Sequence, residues 1–516
     1  MTARTPKQTR MRPERPDAMA ASPSSRARRG QSPAFVSFAG AFRHSSTKLD
    51  LTMGPTEKLI LSALFVAIYI AYASLGRDVI FNKTYVQRGA EVSDPIGAAL
   101  PYVRLLVCML VMAGLGLRMG FGWLVGRIPA LFAPFALLAL ASAAWSTETR
   151  TVLISASGLL FLWMALPALS LRLGIVQVTR LTLLIIAWVL IFSLLLAVFA
   201  PSIGIHTGTE AYQSSHAGRW RGIFAHKNAL GFWASFGSVL LFSGRGLFTG
   251  YEKWVATLGG LAGIVCLIFA KSSTSIVIAF FLVVAVGIIH LLKVFSPTLV
   301  MLISIFCAAL FGAIFYVGAD TIFALLERDA TLTGRTELWG LAVDFIQQRP
   351  WLGGGYQNLG GQEFRDYTFK MANEELGPEN GYLGIWLDLG IFGLIFFLIP
   401  LFFGIRNAAN WIPHVAGKER LALETMFLIV IATSIQSMVD ATALIATGYD
   451  GVIAFSAFFM FMAIQKSPLD VARAEAKLAK SWKKKRERLA LDREHGRRLA
   501  LDPPASDRSS GDAFPG

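Results

Sequence analysis

Long apolar runs follow one another along most of this 516-residue chain, and they restrict what it can fold into. Hydrophobic residues make up 54% of the sequence and charged residues only 16%, whereas a soluble chain carries about a quarter charged residues. Runs of roughly 17–22 apolar residues are long enough for a helix to cross a bilayer. The pattern therefore predicts an all-α polytopic membrane protein.

About twelve such segments can be placed along the chain. They lie near 59–75, 96–117, 128–144, 151–171, 181–203, 225–243, 254–270, 275–292, 296–317, 381–404, 421–439 and 450–465. Two of the boundaries between them are short: the division at 171–181 and the polar hairpin at 271–275. An even number of spans places both termini on the same side of the membrane.

Lys and Arg are concentrated in the two flanks, with eleven in 1–58 and thirteen in 466–516. Because basic flanking segments stay in the cytoplasm, both termini are predicted to be cytoplasmic. The loops between spans run against this rule, with ten basic residues in cytoplasmic loops, thirteen in external ones and Arg104 inside a span. The external basic residues cluster in 219–227 and 328–370, which indicates that they have a function there.

The two flanks have the composition of aqueous segments. Residues 1–57 are rich in Pro, Ser and Arg and are predicted to form a disordered basic tail in the cytoplasm. Residues 466–516 are predicted to form a second cytoplasmic basic tail, helical over 470–498. The basic run 483–486 on that helix suits an anchor to anionic lipids of the inner leaflet, and no nucleic-acid-binding module accompanies it.

Residues 58–465 form the predicted transmembrane domain, with two external loops, 204–224 and 318–380. The longer loop is too short to build a large core of its own, so it is expected to form a cap packed on the helix bundle. The three cysteines all lie in apolar runs, and their spacing fits neither a disulfide framework nor a metal site.

The start of the sixth predicted span carries Arg219, Arg221, His226, Lys227 and Asn228 within ten residues. Cations at the edge of a bilayer are costly to desolvate and usually have a function. A lipid-linked diphosphate would suit them, because a guanidinium group binds phosphate through two parallel hydrogen bonds. An arginine at an interface also reaches readily to lipid phosphates, which is the stronger alternative for Arg219.

A second cationic motif surrounds Arg335, which stands just ahead of an apolar helix predicted over 337–346. The N–H groups at the start of that helix would add to the positive charge of the side chain. Arg221 and Arg335 are therefore predicted to hold a diphosphate from two sides, with Lys227 as a third positive point.

A third motif stands at the external end of the span 381–404. Attack by an acceptor hydroxyl requires a base within hydrogen-bonding distance, and Glu379 is the first candidate and His226 the second. Asn380 and Tyr382 are candidate substrate-binding residues beside Glu379. The alternative role for Glu379 is only to start the helix, where a carboxylate is favourable.

Other polar features carry less information. His206 and His216 are interpreted as ordinary loop residues. The glycines at 353–355 lack the flanking strand and the Lys-Ser/Thr ending of a phosphate-binding loop, so they are interpreted as a tight turn. The hairpin 271–275 is either a turn or a contact for sugar.

Taken in order, these motifs resemble the O-antigen ligase and polymerase superfamily, above all bacterial exopolysaccharide polymerases. The matching segments are 145–146, 221–231, 273–275, 334–339, 349–356 and 379–383. The resemblance implies a GT-C-like inner-membrane glycosyltransferase with a large periplasmic loop before the tenth span, acting without a metal or other cofactor. Its substrates would be undecaprenyl-diphosphate-linked oligosaccharide repeats, joined into a longer chain at the periplasmic face.

The resemblance also implies roles for single residues. In ligases of this superfamily, arginines at the positions of Arg221 and Arg335 hold the diphosphate, and a histidine at the end of the long loop activates the acceptor. Glu379 stands in the place of that histidine, a departure that is compatible with the polymerase branch. Membrane lipids are expected partners, a flippase and chain-length or export proteins are candidate partners, and nucleic acid is not expected.

Three other functions would fit parts of the same pattern. A ligase would transfer a finished glycan to a lipid or protein acceptor. A transporter would also have about twelve spans, but it predicts an inverted repeat and charges at the middle of the membrane. A non-catalytic scaffold for a polysaccharide machine would use the basic tail for docking.

Overall fold

The computed structural model describes residues 53–73, 95–208, 216–224, 226–294, 335–357, 361–372, 377–438 and 449–464, with scattered positions up to 487. Residues 1–52 of the predicted tail 1–57 lie outside the described residues, and so does the predicted ninth span, 296–317. The same holds for 318–334 of the long loop and for most of the tail 466–516.

Every long regular element in the described part of the chain is an α-helix. The helices are α1 (Pro55–Ala73), α2 (Pro95–Met119), α3 (Phe121–Val125), α4 (Ala133–Ala141), α5 (Thr149–Leu173), α6 (Ile175–Phe199), α7 (Pro201–Gly204), α8 (Lys227–Ser243), α9 (Tyr251–Ala270), α10 (Ser273–Val294), α11 (Arg335–Ile346), α12 (Gly361–Ala372), α13 (Gly381–Trp411), α14 (Gly417–Gln436) and α15 (Tyr449–Met462). Short 3-10 turns, Ala130–Phe132 and Ser142–Ala144, extend α4 at both ends. Eleven of the twelve predicted segments overlap these helices.

Six described helices are long and apolar enough to cross a membrane by length and composition. They are Pro55–Tyr72, Ala99–Met119, Thr149–Leu173, Ile175–Phe199, Tyr251–Ala270 and Gly381–His414. Three shorter apolar stretches, Ala130–Ala144, Ser273–Ile289 and Ile453–Met462, accompany them. The helices confirm the prediction of an all-α polytopic membrane protein, and the total of about twelve spans stays a prediction.

Residues with positive φ separate consecutive spans where the sequence predicted short boundaries. Gly174, with φ of 81°, divides α5 from α6. Lys271, with φ of 47°, stands in the left-handed region between α9 and α10. Because a left-handed residue cannot continue an α-helix, each of these positions ends one helix and lets the chain turn back.

Helix α8 packs against α6, α9, α10 and α14. Its Trp233 and Phe236 side chains are fully buried. Glycine allows the neighbouring helices to approach closely, since a Cβ atom at Gly259 of α9 would lie 2.6 Å from the Cα atom of Ala187 of α6. Small residues at such crossings are how helices pack tightly in a membrane, where the hydrophobic effect does not drive them together.

Hydrogen bonds and ion pairs define two ends of the bundle. At one, which we call the Glu57 end, Glu57 of α1 accepts a 2.7 Å bond from Arg172 of α5, and Arg180 of α6 pairs with Glu252 of α9 at 2.6 Å. The opposite end contains the start of α8 and is called the Lys227 end. There the starts of α8, α10 and α13 meet the last turns of α6, α9 and α14.

Helix α13 is broken at Gly390, which has φ of 65° and ψ of −171°. The break leaves backbone groups without partners inside the helix, and an exposed polar backbone is not tolerated in an apolar environment. The segment 349–357, called the strap, supplies those partners. The Ile391 N–H donates to the Pro350 carbonyl at 2.9 Å, and the Gly354 N–H donates to the Leu387 carbonyl at 2.9 Å.

The strap also contacts the helices beside α13. The carboxylate of Asp388, which is buried, accepts a 2.8 Å bond from the Gln357 N–H. The Ser142 hydroxyl accepts a 3.0 Å bond from the Tyr356 N–H. Gly353 and Gly355 both have positive φ, but the turns lie on either side of the predicted one, at 350–352 and 356–357, with a bend at Gly354.

Two helices of the long loop form a cap beside the strap. A small apolar core of Ala342, Ile346, Phe364 and Leu387 joins α11 and α12 to the first turns of α13. Arg365 of α12 pairs with Glu148 ahead of α5 at 3.4 Å, which ties the cap to a second helix. The predicted packing of a cap on the bundle is confirmed for these described parts of the loop, although α12 replaces a stretch that the sequence left without a helix.

We expect Gly390→Ala to lower the thermal stability of the purified protein in detergent more than Gly417→Ala. Both glycines have positive φ, 65° and 60°, so an added Cβ atom strains the backbone at both positions. Only at position 390 would the new Cβ atom also collide with the backbone of Trp351, while nothing lies within 4 Å of position 417. The two unfolding midpoints measure the difference, and equal losses would contradict the close seating of the strap.

Candidate functional site

A short antiparallel pairing closes the loop that leads into α8. Ile205 and Trp220 form an isolated β-bridge. The His206 N–H donates to the Arg219 carbonyl at 2.9 Å, and the Trp220 N–H donates to the Phe269 carbonyl at the end of α9 at 3.1 Å. The Trp220 ring also stacks on the Phe269 ring with centroids 4.5 Å apart. The loop is therefore fixed to the bundle on the side of α9.

Arg221 is buried at the Lys227 end, with 6% of its surface exposed. Its Nε donates a 2.9 Å hydrogen bond to the Ile203 carbonyl, and its backbone N–H donates to the Gly204 carbonyl at 2.9 Å. Gly222 follows, and two features require glycine there: its φ is 59°, and a Cβ atom would lie 2.5 Å from the Cβ atom of Ser193. The bond from Nε fixes the orientation of the Arg221 guanidinium group.

Lys227, the first residue of α8, is the most deeply buried cation in the described chain, with 1% of its surface exposed. Its ammonium group lies 3.4 Å from the Asn228 side-chain oxygen. The same oxygen accepts a 3.2 Å bond from the Ser272 hydroxyl, which in turn accepts a 2.9 Å bond from the Ser275 hydroxyl. These bonds join the starts of α8 and α10, so two helix N-termini lie side by side.

Gly231 allows this contact between the two helices. A Cβ atom at that position would lie 2.5 Å from the Ser275 Oγ and 2.8 Å from the Ser272 Cβ. The hairpin 271–275, which the sequence left as a turn or a sugar contact, forms a turn in which Ser275 donates to Ser272 and Ser272 donates to Asn228. A contact with sugar stays a prediction.

Three histidines, His206, His216 and His226, meet beside Lys227. The sequence indicated a role only for His226. The ring centroids lie 5.8 Å apart for His206 and His216, 5.7 Å for His206 and His226, and 5.1 Å for His216 and His226. The interpretation of His206 and His216 as ordinary loop residues does not describe this cluster. Within the described residues, no group of three or more His, Cys, Asp or Glu is arranged to hold a metal ion.

Two of these rings cap α8. The Nδ1 atom of His226, the N-cap residue, accepts a 3.1 Å bond from the Asn228 N–H. The Nε2 atom of His206 accepts a 3.3 Å bond from the Lys227 N–H. Each ring thus accepts one of the N–H donors in the first turn of α8, which have no partners within the helix.

The third predicted motif lies at the same end of the bundle. The side-chain oxygen of Asn380 caps α13 by accepting hydrogen bonds from the N–H groups of Tyr382 and Leu383. The side-chain NH₂ group of Asn380 donates to the Met438 carbonyl at 3.0 Å. The Tyr382 hydroxyl donates to the Ser434 carbonyl at 3.0 Å. Glu379 is partly exposed and has φ of 44°, a strained conformation for a residue with a side chain.

The structure leaves part of the predicted site open. Arg335 is the first residue of α11, which packs on α13, but its side chain lies outside the described residues. Arg219 is half-buried in the loop that carries Arg221. The convergence of Arg221 and Arg335 on one ligand therefore stays a prediction.

Residues 258–398 match the O-antigen ligase family. The exopolysaccharide production protein ExoQ of Rhizobium meliloti (strain 1021) is 27% identical to the chain over 279 residues. Both matches support the resemblance of this chain to the O-antigen ligase and polymerase superfamily. The alignment with ExoQ covers 47% of this chain and 61% of the relative, so the chain spans about six tenths of the length of that relative. The family match covers the hairpin 271–275, the cap and the first half of α13.

We expect Gly231→Ala to destabilise the protein by about 1–3 kcal/mol, because the added methyl group overpacks the contact between α8 and α10. The matched control is Gly287→Ala in α10, where nothing lies within 4 Å and a helical alanine is favoured over glycine by about 1 kcal/mol. Thermal unfolding of both variants in the same detergent tests this. A Gly231→Ala variant as stable as Gly287→Ala would contradict the described contact.

Proposed function

We propose that the chain polymerises undecaprenyl-diphosphate-linked oligosaccharide repeats into exopolysaccharide at the periplasmic face of the inner membrane. The observation that supports this most directly is the burial of Lys227 and Arg221, 1% and 6% exposed, at one end of an apolar helix bundle. The superfamily match and the printed name of the relative, an exopolysaccharide production protein, agree with the proposal.

The charges at the Lys227 end suit a diphosphate leaving group. Transfer of the growing glycan leaves negative charge on the lipid diphosphate, which side-chain cations can stabilise. Because α8 and α10 both begin here, their dipoles add positive potential of the same sign. In a water-poor site each of these interactions is stronger than it would be in solution. Arg221 and Lys227, with Arg335 of the cap, would then hold the diphosphate.

Glu379 is the better candidate for the base that activates the acceptor hydroxyl. In neutral His226, Nδ1 accepts the Asn228 N–H, so the proton is on Nε2 and neither nitrogen can receive another while the cap is intact. A carboxylate has no such restriction. The left-handed backbone of Glu379 is also typical of residues whose strain is retained at functional sites.

The Lys227 end would face the periplasm and the Glu57 end the cytoplasm. This orientation places both basic tails in the cytoplasm, as the concentration of Lys and Arg in the flanks favours. Undecaprenyl-linked repeats delivered by a flippase would then meet the site on the outer leaflet. Chain-length or export proteins are the further partners that the product would require.

The orientation can be tested with single cysteines in a cysteine-free background. Ala217→Cys lies exposed at the Lys227 end and Lys418→Cys lies exposed at the Glu57 end. A membrane-impermeant maleimide added to cells with a permeable outer membrane should label position 217 only, while both positions react after lysis. Labelling of position 418 alone in such cells would place the site in the cytoplasm and contradict the proposal.

Deletion of the gene separates the proposed function from its rivals. Loss of a polymerase should leave single lipid-linked repeats and no long polymer. A ligase mutant would instead accumulate long polymer on its lipid carrier. In an assay of the purified protein with lipid-linked repeats, lengthening of the repeats would exclude both a scaffold and a transporter.

Substitutions at the site should abolish chain growth while the protein still inserts and folds. We expect Arg221→Ala, Arg335→Ala and Lys227→Met each to reduce chain growth by about 10²–10³-fold, as for the loss of one preorganised donor to developing charge. Arg221→Lys should also be damaging, because a point charge does not replace the planar guanidinium. Arg245→Ala, at the exposed C-terminal side of α8, is the matched control.

Glu379→Gln should reduce chain growth as strongly as the arginine variants if the carboxylate is the base. Glutamine keeps the size of the side chain but cannot accept a proton at neutral pH. Chain growth assayed with purified protein and lipid-linked repeats measures this. Near-normal polymer from this variant would exclude Glu379 as the base.

A further inference from the structure

The histidine cluster, formed by His206, His216 and His226, contacts the backbone of Lys227, the lysine on which the proposed function depends. His206 is almost completely buried, with 2% of its surface exposed, and its ring lies 5.8 Å or less from both other rings. The chain brings these residues together by folding the loop ahead of α8 back onto the start of that helix.

Two rings hold α8 through lone pairs, which constrains their protonation. The Nε2 lone pair of His206 accepts the Lys227 N–H, and the Nδ1 lone pair of His226 accepts the Asn228 N–H. A neutral imidazole has one acceptor nitrogen, and an imidazolium has none. Both hydrogen bonds therefore exist only while the two rings are neutral, with the proton on Nδ1 of His206 and on Nε2 of His226.

We propose that His206 and His226 are positioning residues that hold the Lys227–Asn228 turn only in their neutral form, so that acid releases the diphosphate-binding lysine. The role of the turn in binding diphosphate rests on the proposed function. A proton from solvent would add to Nε2 of His206 or to Nδ1 of His226 and convert the acceptor into a second N–H donor. The N–H of Lys227 or Asn228 then loses its partner, and the first turn of α8 loosens.

The groups around the cluster oppose a positive charge on these rings. His216 faces both of them, Lys227 follows His226 directly, and Arg219 and Arg221 lie on the same loop. Across the cluster, Lys271 precedes the serine that binds Asn228. Residues 216–228 and 271–275 include no Asp or Glu. The charged side chains of these two described segments are therefore all cationic, and together with the positive end of α8 they repel a protonated imidazole.

Substitutions that mimic each acceptor separate the hydrogen bond from the titration. Glutamine can place its amide oxygen near the position of Nε2, so His206→Gln keeps an acceptor that does not titrate. Asparagine places an oxygen near Nδ1 and is among the best N-cap residues, which makes His226→Asn the corresponding change. His206→Phe removes the acceptor, and His414→Gln changes a histidine at the Glu57 end as a control.

Hydrogen exchange measured by mass spectrometry on the full-length protein in detergent tests the proposal without requiring activity. In the wild type, protection of peptides spanning 226–235, corrected for the intrinsic exchange rate, should fall about fivefold or more between pH 8 and pH 5, as expected for the loss of one cap. The His414→Gln control should behave in the same way. The double variant His206→Gln/His226→Asn should lose little protection, and His206→Phe should be poorly protected at both pH values.

Two results would overturn the proposal: wild-type protection that is constant from pH 8 to pH 5, or an equal fall in the double variant. Chain growth adds a second readout, since its ratio between pH 5 and pH 8 should be higher for His206→Gln than for the wild type. Acid-dependent protection in a protein that lengthens no lipid-linked repeat would support the histidine proposal and contradict the proposed polymerase. The two failures are therefore distinguishable.

Discussion

The burial of one lysine at the end of an apolar bundle governs the arrangement around it. Placing the Lys227 side chain away from water costs free energy unless polar groups replace the lost hydration. The Asn228 oxygen lies beside its ammonium group, and two serines of the neighbouring hairpin fix that oxygen. The start of α8 must in turn be capped, and the imidazoles of His206 and His226 supply the acceptors. Each polar contact in this region is thus required by the one before it.

Local sequence patterns predicted the helices well and the contacts between loops poorly. Apolar runs of bilayer length located eleven of the twelve segments because a membrane helix is determined by its own composition. The histidine cluster joins positions ten or more residues apart in sequence, and no periodicity signals such a contact. The crowding of histidines in a single short loop at the mouth of a span was the one available hint. The helix α12 was missed because its polar composition gives no apolar run.

The candidate site was predictable in part for a similar reason. Lys227 and Asn228 were found because cations at the start of a span are conspicuous, and the structure places them in one hydrogen-bonded group. Asn380 and Tyr382 were expected to bind substrate, yet their side chains hydrogen-bond backbone groups at the junction of α13 and α14. Those bonds join the two helices, and substrate binding by Asn380 and Tyr382 stays a prediction. A sequence does not distinguish a polar residue that binds a ligand from one that joins two helices.

The strap affects how a lipid-linked molecule could enter the interior of the helix bundle. Its backbone is threaded into the break of α13 by hydrogen bonds from Ile391, Gly354, Gly355 and Gln357. Lifting the strap out of the break would lose these bonds and expose the carbonyls of the interrupted helix, at a net cost of about 1 kcal/mol for each bond and more for each group left unpaired. Opening of the strap is therefore an unfavourable route of entry to the bundle. A polyprenyl tail would more readily slide in sideways, between helices, from the leaflet in which it is already dissolved.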